Sequence, residues 1–232
     1  MSAERASRRT RRTKETDIQV RLTLDGVGKA SVQTGLPFLD HMLELVAVHG
    51  LFDLTLRAKG DIEVDQHHTV EDIGLVLGGA IDEALGDRKG LRRYASLDLP
   101  MDECLVGVAL DLGGRPYFAH DLKPKTRIVG SFDSTLVPDF FVALTQGARC
   151  TLHVVQLRGG NTHHLLEATF KCIKAETQLV YSSDYPHWDF DLPSTIYDLP
   201  FLKDKAKRDI LGGNAVKLFK LQINGQKLAK VA

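Results

Sequence analysis

The hydrophobic pattern changes period several times along the chain. Apolar and polar residues alternate over Asp17–Leu24, which reads as a strand. Asp25-Gly26 is a good turn, and Gly28–Gln33 is expected to return as a second strand. From Pro37 the apolar positions Phe38, Met42, Leu45 and Val46 recur at helical spacing to about His49, and Gly50 stops that helix. Asp53–Ala58 reads as a strand. A second helix is expected from about His67 to Leu85, ended by Gly86.

The same order then recurs. Glu103–Leu112 reads as a strand, Gly113-Gly114 as the turn and Tyr117–Leu122 as the return strand. A helix over Asp133–Gln146, a strand over Cys150–Gln156 and a helix opening at His163 and running to Ala175 complete the second half. Each half is thus strand, strand, helix, strand, helix, and the second-helix starts lie 96 residues apart. This repetition argues for one unit used twice, an α+β arrangement with helices covering one face of each antiparallel-containing sheet. The expected segments are a basic arm at 1–12, two halves at 13–95 and 96–175, and a tail of different character at 176–232.

Composition narrows the classes. The 232 residues can build a real core. A formal net charge of +0 gives no global field toward nucleic acid or an anionic membrane. No apolar run approaches a bilayer span and no signal peptide is visible, so neither membrane nor nucleic acid is an expected partner. Cys104, Cys150 and Cys172 lie far apart without CxxC spacing, which fits a reduced cytoplasmic interior with each thiol in the core. Arg5, Arg8, Arg9, Arg11, Arg12 and Lys14 crowd the amino terminus without aromatic interleaving, so a solvated, poorly ordered arm is expected rather than a polyanion grip.

The chemistry lies at two helix starts, His67-His68-Thr-Val-Glu71 and His163-His164-Leu-Leu-Glu167. Residues three and four apart share a helix face, so each histidine can meet the glutamate of its own motif. Adjacent histidines point about 100° apart on a helix and need not serve the same ion. Imidazole with carboxylate suits manganese, iron or zinc. One such motif alone reads as an exposed polar helix start. Two copies at duplicated positions, with His41 and His153 also accessible, give eight candidate ligands for two divalent ions. His49 reads as a helix-end cap or a substrate contact. Arg93, Arg115 and Lys171 each stand beside a motif or a turn and suit an anionic, phosphorylated substrate, although each alone reads as a surface charge. Glu15 is a candidate acid–base group.

Thr13-Lys-Glu-Thr16, Gly35-Leu-Pro-Phe-Leu-Asp-His-Met42, His49-Gly-Leu-Phe-Asp-Leu54, Gly60-Asp61, Asp65-Gln-His-His-Thr-Val-Glu-Asp72, Pro100-Met-Asp-Glu103, Gly114-Arg-Pro116 and Gly160-Asn-Thr-His-His-Leu-Leu-Glu-Ala-Thr-Phe-Lys171 closely resemble the imidazoleglycerol-phosphate dehydratases, in order, from about residue 8 to about residue 174. The resemblance implies a duplicated fold similar to the second domain of ribosomal protein S5. It implies a lyase of histidine biosynthesis that removes water from imidazole glycerol phosphate to give imidazole acetol phosphate. It also implies two manganese ions per active site, other divalent ions being compatible, and a homo-oligomeric shell of 24 subunits with active sites between them. By motif, the metal ligands would be His41, His67, His68, Glu71, His153, His163, His164 and Glu167. Glu15 would match an acid–base residue reached from a neighbouring subunit, with Glu71 and Glu167 as further candidate catalytic carboxylates. Arg93, Arg115 and Lys171 would match substrate and phosphate contacts.

Three departures are visible. Leu45 stands where the family has glutamine, so a polar substrate contact is expected to be missing. Thr135 and Pro138 replace acidic residues, and proline is tolerated only in a first helical turn. From about Lys174 the family's carboxy-terminal helix and Ser-Thr-Lys-Gly loop are replaced. Tyr181-Ser-Ser-Asp-Tyr-Pro-His-Trp-Asp189, Gly212-Gly-Asn-Ala215 and Leu218-Phe219 instead resemble the end of an amidohydrolase barrel. The rest of such a barrel, which needs about 250 residues, is missing, so Asp184 is not expected to be catalytic. The chain therefore reads as a dehydratase body joined to a foreign tail. The competing expectations are a metal-binding body impaired by loss of the phosphate loop, and an amidohydrolase-type hydrolase or decarboxylase. The tail is expected to pack weakly after about residue 180, with helices near Leu202–Leu211 and Asn214–Leu221.

Overall fold

The computed structural model describes residues 5–89, 91, 93–172, 204–208 and 210. The chain divides into two compact units, Met1–Lys174 and Ala175–Ala232. In the second, the described residues contain a short helix, Asp204–Arg208, within the segment where one was expected. The helix expected near Asn214–Leu221 lies outside the described residues.

The first unit repeats one α+β layout. Its first half runs β1 (Ala6–Arg12), β2 (Thr16–Thr23), β3 (Ala30–Gln33), α1 (Pro37–Gly50), β4 (Asp53–Gly60) and α2 (Gln66–Leu85). The second runs β5 (Tyr94–Met101), β6 (Cys104–Asp111), β7 (Tyr117–His120), the two-residue strands β8 (Ile128–Val129) and β9 (Phe132–Asp133), a 3-10 turn (Ser134–Leu136), α3 (Val137–Ala148), β10 (Thr151–Arg158) and α4 (Thr162–Cys172). The four-stranded sheets have matching orders, β1-β2-β4-β3 and β5-β6-β10-β7. Among the described residues no helix is long and apolar enough to cross a membrane.

The central strands explain the layering. Ile18, Val20 and Leu22 on β2, Leu54 and Leu56 on β4, Val106 and Val108 on β6, and Leu152 and Val154 on β10 turn alternate side chains inward. They meet Met42, Leu43, Ile73, Phe140, Phe141 and Phe170 from the helices in one continuous core. The helices lie between the sheets and pair across the halves, α1 with α4 and α2 with α3. The α2–α3 approach is close: a Cβ at Gly74 would stand 2.5 Å from the Phe140 carbonyl oxygen, one at Gly78 2.2 Å from that of Leu144, and one at Gly147 2.4 Å from that of Leu75.

Three expectations are corrected. The arginine-rich segment is not a disordered arm but β1, paired antiparallel with β2 from Ala6↔Thr23 to Arg12↔Asp17. Its alternate residues lie on α2: Ser7 donates to the Ala80 carbonyl, Arg9 to that of Gly79, and Arg11 pairs with Asp72. Arginine stems thus cover a helix surface rich in small residues. Second, β3 and β7 do not return beside β2 and β6. The edges of β2 are taken by β1 and β4, so β3 crosses over and pairs parallel with β4; β7 likewise pairs parallel with β10. The turn at Asp25-Gly26 is held instead by Asp53, whose carboxylate accepts from the backbone amides of Val27 and Lys29 at 2.8 and 2.9 Å. Third, Tyr94–Met101 forms an edge strand ahead of the expected Glu103–Leu112 strand. In the second half the helix expected from Asp133 starts at Val137 after the 3-10 turn, and Pro138 sits in its first turn, where proline is tolerated.

Candidate metal centre

Each HHxxE motif opens a helix through the same local device. Asp65 accepts from the His67 amide at 3.0 Å and Asn161 from the His163 amide at 2.8 Å. These caps satisfy a first-turn donor and fix where each helix begins. The paired rings then take nearly the same pose in both motifs. The His67 and His68 centroids are 6.4 Å apart at 85°, and those of His163 and His164 are 6.2 Å apart at 89°. Neighbouring histidines therefore look in different directions.

The first cluster forms where α1 meets α4. His163 Nε2 lies 3.0 Å from Glu167 Oε2, and the His41 ring centroid lies 6.3 Å from that of His163. One ligand atom from each of His41, His163 and Glu167 falls within 4.8 Å of the others. Phe38 sets its ring edge-on to His163 at 5.4 Å, closing one side. Burial pushes the Glu167 carboxyl toward its neutral form, yet hydrogen bonds from Lys171 and His163 hold its pKa below the usual value. The Lys171 Nζ–Glu167 Oε1 distance is 2.6 Å. Lys171, expected at substrate phosphate, is thus engaged with a candidate ligand.

The second cluster forms where α2 meets α3. His67 Nε2 lies 3.6 Å from Glu71 Oε2, and its Nδ1 lies 3.6 Å from Asp139 Oδ2 on α3. Asp139 occupies the place that His41 holds in the first cluster: each precedes a buried pair, Met42-Leu43 or Phe140-Phe141, on the helix opposite the first histidine. The second histidines carry carboxylate partners of their own. His68 Nδ1 is 3.2 Å from Asp61, and His164 Nδ1 is 3.0 Å from Glu103. These contacts raise the pKa of both imidazoles, and the His164 contact takes the Glu103 carboxyl down to about 2. Glu15 sits exposed in the β1–β2 turn, its amide donating to the Thr13 hydroxyl and its carbonyl accepting from Asp61.

The remaining candidates gather elsewhere. Leu152 and Val154 face the helices, so His153 between them faces outward on the second sheet. There it lies 5.7 Å, ring to ring, from Tyr117. Arg93 grips Asp111 with two bonds of 2.6 and 2.9 Å, and Arg115 lies 3.5 Å from the same carboxylate. Arg93 holds the Asp111 carboxyl below its ordinary range. Tyr94, Ser96, Asp111, Thr151 and His153 line an open hollow there. His49 sits in the last turn of α1, about 12 Å along the helix from His41. Leu45 is half-buried and packs on the core.

The eight expected ligands therefore do not converge in one chain among the described residues. The structure joins His41, His163 and Glu167, brings Glu71 to His67, and leaves His153 on another face with Arg93 and Arg115. Asp139, Asp61 and Glu103 were not singled out from sequence. The last two stand inside the quoted Gly60-Asp61 and Pro100–Glu103 segments, but only the fold reveals their partners.

The imidazoleglycerol-phosphate dehydratase family model matches residues 34–175, and an amidohydrolase model matches residues 164–221. The imidazoleglycerol-phosphate dehydratase of Syntrophobacter fumaroxidans is 53% identical over 173 residues, covering 75% of this chain and 88% of that protein. The corresponding protein of Acetivibrio thermocellus is 55% identical over 162 residues, covering 70% and 83%. The crystal structure of the dehydratase from Staphylococcus aureus superposes with a TM-score of 0.65 at 37% identity, covering 73% of this chain and 94% of that one. That of the enzyme from Pyrococcus furiosus in complex with (S)-C348 gives 0.63 at 37%, covering 72% and 89%.

Proposed function

The chain belongs to the imidazoleglycerol-phosphate dehydratase family, and from that premise we propose that its dehydration chemistry runs at a two-metal site completed by a second copy of the chain. The reaction is the family's: removal of water from imidazole glycerol phosphate in histidine biosynthesis. The observation that carries the metal reading is Glu167. It is a largely buried carboxylate kept ionised beside His163, with a His41 ligand atom within 4.8 Å. A buried anion with two imidazoles is a donor set that fits manganese or another divalent ion.

In this reading His41, His163 and Glu167 hold one ion and His67 and Glu71 another, with His68, His164 and His153 completing the two sets. A bound divalent ion would supply positive charge to the substrate imidazole, which acidifies the neighbouring carbon. Glu15 moves a proton at that carbon, because its exposed carboxylate stands on a short turn pinned by Thr13 and Asp61. Glu71 and Glu167 are the other carboxylates within reach of the ions. Arg93, Arg115 and Lys171 bind the phosphate, with substrate replacing Asp111 and Glu167 as their anionic partners. The outward position of His153, Arg93 and Arg115 supports assembly between subunits. A second copy presenting its outer sheet face to the helix starts would bring these groups to the ligands that one chain leaves apart. That favours a homo-oligomer such as the 24-subunit shell.

The test is metal analysis with turnover on the full chain. Two manganese ions per chain and dehydration of imidazole glycerol phosphate are expected, both lost in a His67→Ala/His163→Ala double variant. Turnover that survives that double variant and exhaustive chelation would refute the metal assignment.

A further inference from the structure

Both motifs treat their second histidine alike. Asp61 Oδ1 and Oδ2 lie 3.3 and 3.2 Å from His68 Nδ1, and Glu103 Oε2 lies 3.0 Å from His164 Nδ1. The same ring nitrogen is engaged each time, by a carboxylate outside the helix. We propose that Asp61 and Glu103 are positioning residues that take the Nδ1–H of His68 and His164, so that Nε2 alone is offered to a metal ion. This rests on the reading that the two motifs bind metal.

The carboxylates are anchored independently of the histidines they meet. The other oxygen of Glu103 accepts from the Asn161 amide at 2.7 Å, one residue before α4 begins. Its hairpin is shaped for this contact. Met101 pairs with Cys104, and Asp102 takes a left-handed φ of 48° that aspartate tolerates, leaving Glu103 against α4. Asp102 also lies 3.9 Å from His164 Nδ1, but its side chain is 80% exposed, and Glu103 is the nearer and doubly held group. Asp61 is fixed by its backbone: its amide donates to the Glu15 carbonyl at 3.1 Å, and its own carbonyl accepts from Val64 at 2.8 Å and Asp65 at 3.3 Å. It therefore ties the segment bearing Glu15 to the orientation of His68.

A neutral imidazole that donates from Nδ1 keeps its lone pair on Nε2, and a carboxylate acceptor makes that lone pair more basic. The first histidines already direct Nε2 at the motif glutamates, His67 at Glu71 and His163 at Glu167. All four motif histidines would then present the same nitrogen.

The experiment is magic-angle-spinning NMR of histidine-labelled, metal-free protein at alkaline pH, with His68→Ala and His164→Ala for assignment. Manganese calorimetry accompanies it on Asp61→Ala, Asp61→Asn, Glu103→Ala and Glu103→Gln. The Nδ1–H tautomer is expected at His68 and His164. The alanine variants should lose that fixed tautomer and bind manganese about 10–100-fold more weakly. The amide variants, whose side-chain oxygen still accepts, should restore the tautomer and most of the affinity. The Nε2–H form at either histidine of the wild-type chain would overturn the proposal even if an alanine variant failed to fold. So would wild-type affinity in the alanine variants, provided His68→Ala and His164→Ala bind weakly. Undiminished binding in those two variants would instead remove the metal reading itself.

Discussion

Gly78→Ala measures the cost of the close contact between α2 and α3. A Cβ at Gly78 would stand 2.2 Å from the Leu144 carbonyl oxygen and 2.8 Å from the Ala148 amide nitrogen. Ordinary contact begins near 3.4 Å, so the helices must part by roughly 1 Å, and both offending atoms are backbone. Overpacking of this kind costs about 1–3 kcal/mol, with more expected when no side chain can swing away. Alanine recovers up to about 1 kcal/mol of helix propensity. The net expectation is a loss of about 2 kcal/mol, which lowers Tm by about 4–8 °C in a unit of this size. Gly79→Ala is the internal control. Its Cβ would meet the Arg9 guanidinium at 2.9 Å, the far end of a flexible and half-exposed side chain. That variant gains the same propensity and should melt within about 2 °C of wild type or above it. Both are compared by calorimetry in metal-free protein at one fixed concentration, because assembly would otherwise shift Tm. Gly78→Ala melting at or above Gly79→Ala would refute the close-approach argument.

Three other outcomes follow from buried or half-buried groups. Arg88 donates to the carbonyls of Leu112, Ala148 and Arg149 and pairs with Asp82, with 16% of its side chain exposed, so Arg88→Ala should cost about 2–3 kcal/mol in urea unfolding, and Arg88→Lys, a single point charge, should recover less than half of it. Cys150 is buried, which pushes its thiol from 9.0 up to about 11. The folded form therefore holds its proton where the unfolded chain releases it, so the contribution is complete below pH 9 and is lost as pH rises toward 11. Iodoacetamide at neutral pH should leave all three buried cysteines unmodified until the protein is unfolded; rapid labelling of the native form would contradict this.

The sequence was readable where burial is one-sided and local. Ile18, Val20 and Leu22, or Leu152 and Val154, alternate because they lie on central strands with one face on the helices. The two misread segments, β1 and β5, are edge strands. The inward residues of β1 are Ser7, Arg9 and Arg11, which bury stems and pair with α2 rather than supplying an apolar stripe. Pro100 hides β5, although proline is compatible with an edge. The parallel placement of β3 depends on which strand has a free edge, a property of the whole sheet. The site divides in the same way. The four-residue spacing of His163 and Glu167 announces their contact, because one helix sets it. The approach of His41 to His163, of Asp139 to His67 and of Glu103 to His164 depends on packing between elements far apart in the chain, for which no local spacing exists.

The crossed helix pairing also bears on the relation between the halves. Each half leans on the helices of the other, so half a chain on its own would leave α1 and α2 uncovered and would meet a second half in their place. The layout is the one that a twofold pair of identical halves would adopt. The two halves are not identical, and one exchange is visible: imidazole at His41 stands where its counterpart is the carboxylate of Asp139. The cluster at Glu167 thus gathers two imidazoles and one carboxylate, and the one at His67 one imidazole and two carboxylates.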